Sequence, residues 1–313
     1  MKIFITGALG HIGSRLMREA HRFVLSPEII MIDNLSTQRY ASLFDLPAGA
    51  VYRFHSGDVL DADLPALMSG ADAVIHLAAI TDAAGSFHMR EKVEHVNYNA
   101  TRRVAESCLS LGIPMIHLSS TSVYGSAATE VDEDCSPDDL KPQSPYAETK
   151  LREERLLQDM AAKDGLRHVT FRFGTIVGTS PGMRFHTAVN KFCWQAVFGQ
   201  PLTVWRTALH QRRPYLDLAD ALSAIFFFIR RGRFDGRIYN IVSRNLTVAD
   251  IIAMIGTHIT APASDYVDNE IMKQLSYEVS SRRVLVLGWQ ATGSLENSIA
   301  ATIALLRRAG GRP

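Results

Sequence analysis

The chain has 313 residues, 47% of them hydrophobic and 21% charged, and a net charge of +1. That balance suits a water-soluble α/β protein of one large and one smaller domain, and it offers no basic footprint for nucleic acid or an anionic membrane surface. No apolar run reaches the ~18–20 residues of a membrane span, Met1-Lys2 runs into a strand without a signal-peptide pattern, and Cys108, Cys135 and Cys193 are too dispersed for a disulfide framework or a metal site. A cytoplasmic protein is expected.

Lys2 to Thr6 is a short apolar run ending at a glycine, as a buried parallel strand does. An amphipathic helix is predicted over Ile12 to Arg22, then a strand over Ile29 to Ile32 that ends at Asp33. Further strands are predicted at Val51 to His55, Ala73 to Leu77, Met115 to Leu118 and Val169 to Phe173. Helical patterns lie between them at Leu64 to Met68, Val93 to Leu111 and Ala147 to Ala162. Strands alternating with helices predict right-handed βαβ units and a doubly wound, Rossmann-type parallel sheet. After Gly178 the rhythm changes: a helix is predicted over Arg184 to Phe198, a strand over Leu202 to Trp205, a strand-to-helix return over Tyr215 to Ile229 and a strand over Ile238 to Val242. The tail from Thr247 reads as mostly helical. The expected division is a dinucleotide-binding domain of residues 1–177 and 215–243, and a smaller α/β substrate domain of residues 178–214 and 244–313.

Gly7, Gly10, His11, Ile12 and Gly13 stand between the first strand and the first helix, where a dinucleotide turn must stand. Glycines there permit the tight turn, the approach of backbone to a pyrophosphate and close helix–strand packing, while the helix start offers unpaired N–H groups to phosphate. Asp33, 20 residues beyond Gly13, suits the adenosine ribose hydroxyls and repels a 2′-phosphate, which favours NAD over NADP. Asp33 can equally cap a turn with Asn34 and Ser36, and Arg39 lies close by. Asp58 and Val59, after the third strand, are candidates for the adenine. Leu77, Ala78 and Ala79 supply small or apolar residues where backbone passes the cofactor, and His76 reads as a core histidine.

Tyr146 and Lys150 are four apart, hence neighbours on one helix face. An ammonium beside a phenol stabilises the phenolate and draws its pKa from ~10 towards neutrality. A phenolate can take the proton of a sugar hydroxyl as hydride leaves the same carbon. Ser120, at the end of a predicted strand, can hydrogen-bond that oxygen.

With these pieces in place the chain resembles the extended short-chain dehydrogenase/reductase family, in its NAD-dependent nucleotide-sugar epimerase/dehydratase branch. The resemblance is carried by GALGHIG from Gly7, DNLS from Asp33, HLAA from His76, NYNAT from Asn97, LSSTSVYG ending at Gly125, PYAETK from Pro145, RFGTIVG from Arg172, RRPYLDLADA from Arg212, YNI from Tyr239 and LGW from Leu287. It implies that Tyr146 is the catalytic base, that Lys150 holds the nicotinamide ribose and tunes Tyr146, and that Ser120 binds the reacting hydroxyl. It also implies that Asn97 lies near the active site on a cofactor-facing helix, and that Thr121 and Ser122 line the sugar. Asn190 would contact the nucleotide or diphosphate, Trp205 would stack on the base, and Arg213 would fork onto the diphosphate. A homodimer through the Val93 to Leu111 and Ala147 to Ala162 helices is implied as well.

The residues after Ser120 narrow the reaction. Dehydrating members of the branch place an Asp-Glu pair there, decarboxylating members a glutamate, and some that epimerise beside a ketone a cysteine; this chain has Thr121 and Ser122, which do not titrate usefully. Ser, Tyr and Lys alone suffice for oxidation at one carbinol and reduction of the ketone. The expected function is therefore a 4-epimerase of a nucleotide-diphosphate sugar, with a UDP-hexose as the foremost candidate. A 4-dehydrogenase or 4-keto-sugar reductase is the alternative, and a non-catalytic NAD-binding sensor a remote one. The family's Asp-x-Ser-Lys near the C-terminus is absent from Ser280-Ser281-Arg282-Arg283, and no lysine occurs from Thr81 to Met89.

Overall fold

The computed structural model describes residues 1–125, 130–260, 263–268 and 276–310. In chain order, β1 (Lys2–Thr6), α1 (His11–Glu19), β2 (Glu28–Asp33), β3 (Val51–Ser56), α2 (Leu64–Met68), β4 (Ala73–His76), α3 (Arg90–Leu111) and β5 (Met115–Ser120) come first. A two-residue strand β6 (Glu130–Val131), α4 (Pro145–Asp164), β7 (His168–Phe173) and β8 (Thr175–Val177) follow. The rest of the chain gives α5 (Ala188–Val197), β9 (Leu202–Trp205), β10 (Arg212–Asp217), α6 (Leu218–Arg230), β11 (Ile238–Ile241), β12 (Arg244–Thr247), α7 (Val248–Gly256), β13 (Ser264–Val267), β14 (Glu278–Val279), α8 (Arg282–Val286) and α9 (Leu295–Gly310).

The main sheet has strand order β11-β7-β5-β4-β1-β2-β3, and each of its pairings is parallel. The order reverses between β1 and β4, so their carboxyl ends splay apart and open a crevice. Side chains alternate across this sheet. Ile3, Ile5, Ile29, Ile75, Ile116 and Phe171 pack with Leu16 of α1 and Phe226 and Phe228 of α6 on one face. Phe4, Ile30, Val74 and Met115 pack with Val104 of α3 and Leu157 of α4 on the other. The central strands are buried on both faces, which is why helices must cover both.

A second core joins Val189, Phe192 and Cys193 of α5, Leu202 and Val204 of β9, Ile251 and Ile255 of α7, and Leu295, Ile299 and Ile303 of α9. Val177, Tyr215 and Leu246 of the small sheet β12-β10-β8 also belong to it.

The structure corrects two sequence expectations. The helix expected from Arg184 begins at Ala188, after Thr187 in extended conformation. Residues 178–187 instead fold over the glycine-rich turn, where the Gly182 N–H donates to Ser14 Oγ at 3.0 Å and Arg15 reaches the Thr179 carbonyl. Tertiary hydrogen bonds hold this stretch open against its helical pattern. The tail contains two strands as well as helices. β13 pairs with β9 and β14 with β6, both parallel; these short polar segments become extended because distant strand edges offer them partners, a signal no local period carries.

Candidate active site

Gly7 has φ +63°, and a Cβ there would stand 2.6 Å from the Ala78 nitrogen. A Cβ on Gly13 would stand 2.5 Å from the Ala8 carbonyl oxygen. These two glycines let β1, α1 and the loop after β4 close on one another. Gly10 caps the N-terminus of α1 and is less crowded, its nearest neighbours being the Gly7 carbonyl and the Arg39 guanidinium. A dinucleotide pyrophosphate fits this cradle: a helix start, a bare glycine backbone and an arginine face it.

Asp33 both ends β2 and braces the turn, Oδ2 accepting from Leu9 N (3.1 Å) and Oδ1 from Leu35 N (2.9 Å). Asn34 donates to Asp58 Oδ2 at 2.7 Å, joining the ends of β2 and β3, while the Val59 side chain lies in the core. Thr6 Oγ1 accepts from the N–H groups of Leu77 and Ala78, both at 3.2 Å, so this loop, which continues into Ala79, is anchored to β1. Asn97 clamps the same loop from α3, accepting from Ile80 N (2.8 Å) and donating to Ile80 O (2.9 Å). His11 is engaged by the loop over the turn, its Nε2 lying 2.8 Å from the Gly178 carbonyl; burial holds its pKa down to about 4. Ile12 packs on the main core.

The chemical half forms where β5 and α4 meet. Ser144 caps α4 by accepting from Ala147 N, Pro145 fills the first helical position, and Tyr146 is next. Ser120 closes β5. Its hydroxyl is close enough to Tyr146 to favour the phenolate, and it accepts from Ser122 N (3.1 Å) and Ser122 Oγ (2.9 Å). Thr121 faces inward instead, donating to the Phe173 carbonyl at 3.2 Å. Lys150 is buried one turn below Tyr146. The expected pull of Lys150 on the phenol is present but outweighed: burial pushes the Tyr146 pKa up, with Lys150, Arg184 and Ser120 opposing and Glu153 reinforcing the rise.

Behind the site, Arg172 of β7 donates to both oxygens of Glu154 on α4 (2.9 and 2.6 Å) and to the Tyr124 hydroxyl (2.8 Å). Ser119 donates to Glu154 Oε1 at 2.5 Å. This buried knot fixes α4 against the sheet.

Among the expected substrate contacts, Asn190 of α5 donates to the Arg184 carbonyl at 2.8 Å, Trp205 packs partly buried on the second core, and Arg213 stands 5.4 Å over the Tyr277 ring. Tyr277 in turn donates to the Thr121 carbonyl at 3.1 Å, so Arg213 reaches the Ser120 loop through one aromatic ring. Sequence reasoning passed over Arg184. Its guanidinium donates to Thr81 Oγ1 and is close enough to Tyr146, Asp82 and Arg39 to act on them electrostatically, while its buried Nε has no hydrogen-bond partner among the described residues. The mistaken helix start hid it, because within a helix an arginine reads as a solvated charge.

Fold and site together define a dinucleotide-binding enzyme of the Ser–Tyr–Lys type. A family model described as the NAD dependent epimerase/dehydratase family matches residues 3–242, and the chain belongs to that family. NAD is its cofactor, and the glycine cradle and Asp33 are the residues that fit it. The chain is 29% identical to an uncharacterized UDP-glucose epimerase of Bacillus subtilis, over 98% of each chain. It is 27% identical, over 96% of its length, to a trifunctional UDP-glucose 4,6-dehydratase/3,5-epimerase/reductase of Arabidopsis thaliana, and spans 46% of that longer protein. A crystal structure of a UDP-glucuronic acid 4-epimerase from Bacillus cereus, in complex with UDP-glucuronic acid and NAD, superposes with a TM-score of 0.88 at 25% identity, covering 99% of this chain and 100% of that one.

Proposed function

We propose that the protein is an NAD-dependent 4-epimerase of a UDP-sugar. The observation that carries this reading is Ser120 set close to Tyr146 beside Lys150, next to which Thr121 turns inward and the Ser122 hydroxyl, among the described residues, bonds Ser120 alone. The neighbouring loop residues thus hold no acid/base suited to eliminating water, and the pair suffices for a reversible oxidation. Tyr146 takes the proton of the 4-hydroxyl while Ser120 holds its oxygen. Bound NAD would supply the acceptor for the C4 hydride and the source from which it returns. Between those events the 4-keto sugar turns over in the pocket, and Tyr146 returns the proton to the oxygen on the new face. Lys150 favours the phenolate and would hold the nicotinamide ribose.

Asn190, Trp205 and Arg213 are the proposed nucleotide and diphosphate contacts. Arg184 bears on the sugar: a half-buried guanidinium near Tyr146 suits an anionic substituent, which a hexuronate carries and a neutral hexose does not. No helix among the described residues is long and apolar enough to cross a membrane; work in the cytoplasm, and a homodimer built on α3 and α4, complete the proposal.

Proton NMR of the purified enzyme, incubated without added cofactor with UDP-, dTDP- and GDP-hexoses and UDP-glucuronic acid, tests it. Conversion of one sugar to its 4-epimer is expected. A keto-sugar or reduced sugar that forms only after NAD or NADH is added would sink the epimerase reading in favour of a dehydrogenase or reductase.

A further inference from the structure

Lys150 does not stand alone behind Tyr146. Its Nζ donates at 2.8 Å to Glu153 Oε2, one turn along α4, and Glu153 is fully buried. Thr101 of α3 donates to the same oxygen at 3.1 Å, and His117 Nε2 of β5 lies 3.2 Å from it; Oε1 has no hydrogen-bond partner among the described residues. Beneath this carboxyl a polar row crosses the centre of an otherwise apolar sheet. Thr6, His76, His117 and Thr170 are register partners on successive strands β1, β4, β5 and β7. Thr6 Oγ1 lies 2.8 Å from His76 Nδ1, and His76 Nε2 lies 3.2 Å from Thr101 Oγ1.

Nothing in the packing of α4 asks for a carboxyl here. An apolar side chain would seal the helix to the sheet, whereas burying a carboxylate costs several kcal/mol unless it is paired. Glu154, the next residue, already anchors the helix through Arg172. What Glu153 adds is a negative charge against Lys150, one of the two cations that act on the base.

We propose that Glu153 is a positioning residue: a buried counter-charge that fixes the Lys150 ammonium and ties the ionisation of Tyr146 to the arrival of the oxidised cofactor. Burial works against the Lys150 charge, and Glu153, with Tyr146 and Glu154, outweighs it, so the net push on its pKa is upward. The same carboxylate repels a Tyr146 phenolate. Burial pushes the Glu153 carboxyl up, with Lys150 and Thr101 opposing; as a carboxylate it largely offsets the Lys150 charge, and burial then leaves the phenol protonated. The positive charge of an oxidised nicotinamide would then add to that of Arg184, and Tyr146 would give up its proton where a substrate hydroxyl needs a base. The other groups facing Glu153 are compatible with this balance: burial holds His76 to about 3 and His117 well below its usual value, so both are neutral. His168, two residues along from Thr170 on β7, is held down to about 4. Glu154 is engaged by Arg172, and Arg184 acts on Tyr146 electrostatically.

The inference rests on the NAD-dependent Tyr146 reading but not on which sugar is turned over. The test is the phenolate absorbance of Tyr146 near 295 nm as pH rises, taken against Y146F in each background, with NAD bound and after its removal. In the wild-type enzyme NAD is expected to move Tyr146 ionisation to lower pH. In E153Q without NAD the phenolate is expected about one pH unit earlier than in the wild type, shrinking the effect of NAD, and E153D is expected to restore part of it. An unchanged or later ionisation in E153Q overturns the proposal. If E153Q does not fold, 13C NMR of the Glu153 carboxyl in the wild-type enzyme decides, assigned with E153D. An ionised carboxylate at neutral pH whose shift follows the Tyr146 titration supports the role, and a protonated or indifferent carboxyl ends it. Sugar conversion that persists beside a flat titration would retire Glu153 alone, and a cofactor-linked titration without any sugar conversion would retire only the epimerase reading.

Discussion

Tyr146 and the glycines respond to substitution for different reasons. Tyr146→Phe removes the group that exchanges a proton with the substrate and leaves the glycine cradle intact. Turnover is expected to fall by ~10²- to 10⁴-fold, the usual worth of a general base, with bound NAD retained; a sensor would show an unaltered partner response. Gly13→Ala places a methyl 2.5 Å from the Ala8 carbonyl, so the backbone itself must move. Overpacking of that kind costs ~1–3 kcal/mol, and NAD dissociation constants from calorimetry are expected to rise roughly tenfold or more. Both residues were legible in the sequence, because a glycine turn and a Tyr-x-x-x-Lys pair are local patterns. Arg184 was not, because its role depends on burial beside Tyr146, 38 positions earlier in the chain.

At the scale of the element, α4 carries the chemistry and two devices hold it. Ser144 caps the turn that contains Tyr146. Ser144→Ala removes one hydrogen bond to an orphan N–H and is expected to cost ~1 kcal/mol, read from denaturant melts as a shifted midpoint with an unchanged slope. The Glu154–Arg172 pair is the stronger tie. Burial opposes the Arg172 charge and Glu154 overrides it, holding the guanidinium above its usual pKa. Glu154→Gln strands that buried cation, and breaking such a pair costs ~3–5 kcal/mol. A loss below ~1 kcal/mol in the same melts would show that the knot adds little. The helix itself was legible from its apolar period, within two residues at either end, and Pro145 marks its start. Arg172 and Glu154 were not legible as partners, since they sit on different elements and meet only when β7 lies beside β5.

For the whole molecule, the interior is unusually sensitive to acid. His11 and His168 are held to about 4 and His76 to about 3, in each case chiefly by burial. A histidine with a depressed folded pKa binds its proton more readily when the chain unfolds. Its stabilising contribution is therefore full above pH 6.5 and is lost as pH falls from about 6.5 through about 4. Each such group contributes about 1.4 kcal/mol for every pH unit that separates its folded pKa from its unfolded one. The melting temperature is expected to be flat from pH 8 to 7 and to drop steeply between pH 6 and 4; a flat profile across that lower range would mean that these imidazoles find solvent in the folded state.

The sequence by itself determined the βαβ rhythm of the first 177 residues, the glycine turn, Asp33 and the spacing of Ser120, Tyr146 and Lys150. Those are matters of local period and of which residue types tolerate a given backbone, and neighbours in the chain suffice to specify them. Tertiary structure alone decided the loop of residues 178–187 over the glycine turn, the parallel pairing of β13 and β14, the inward turn of Thr121, and the burial of Glu153 under Lys150. In each of these cases the deciding partner is distant in sequence, and hydrogen bonding or desolvation by that partner outweighs local propensity.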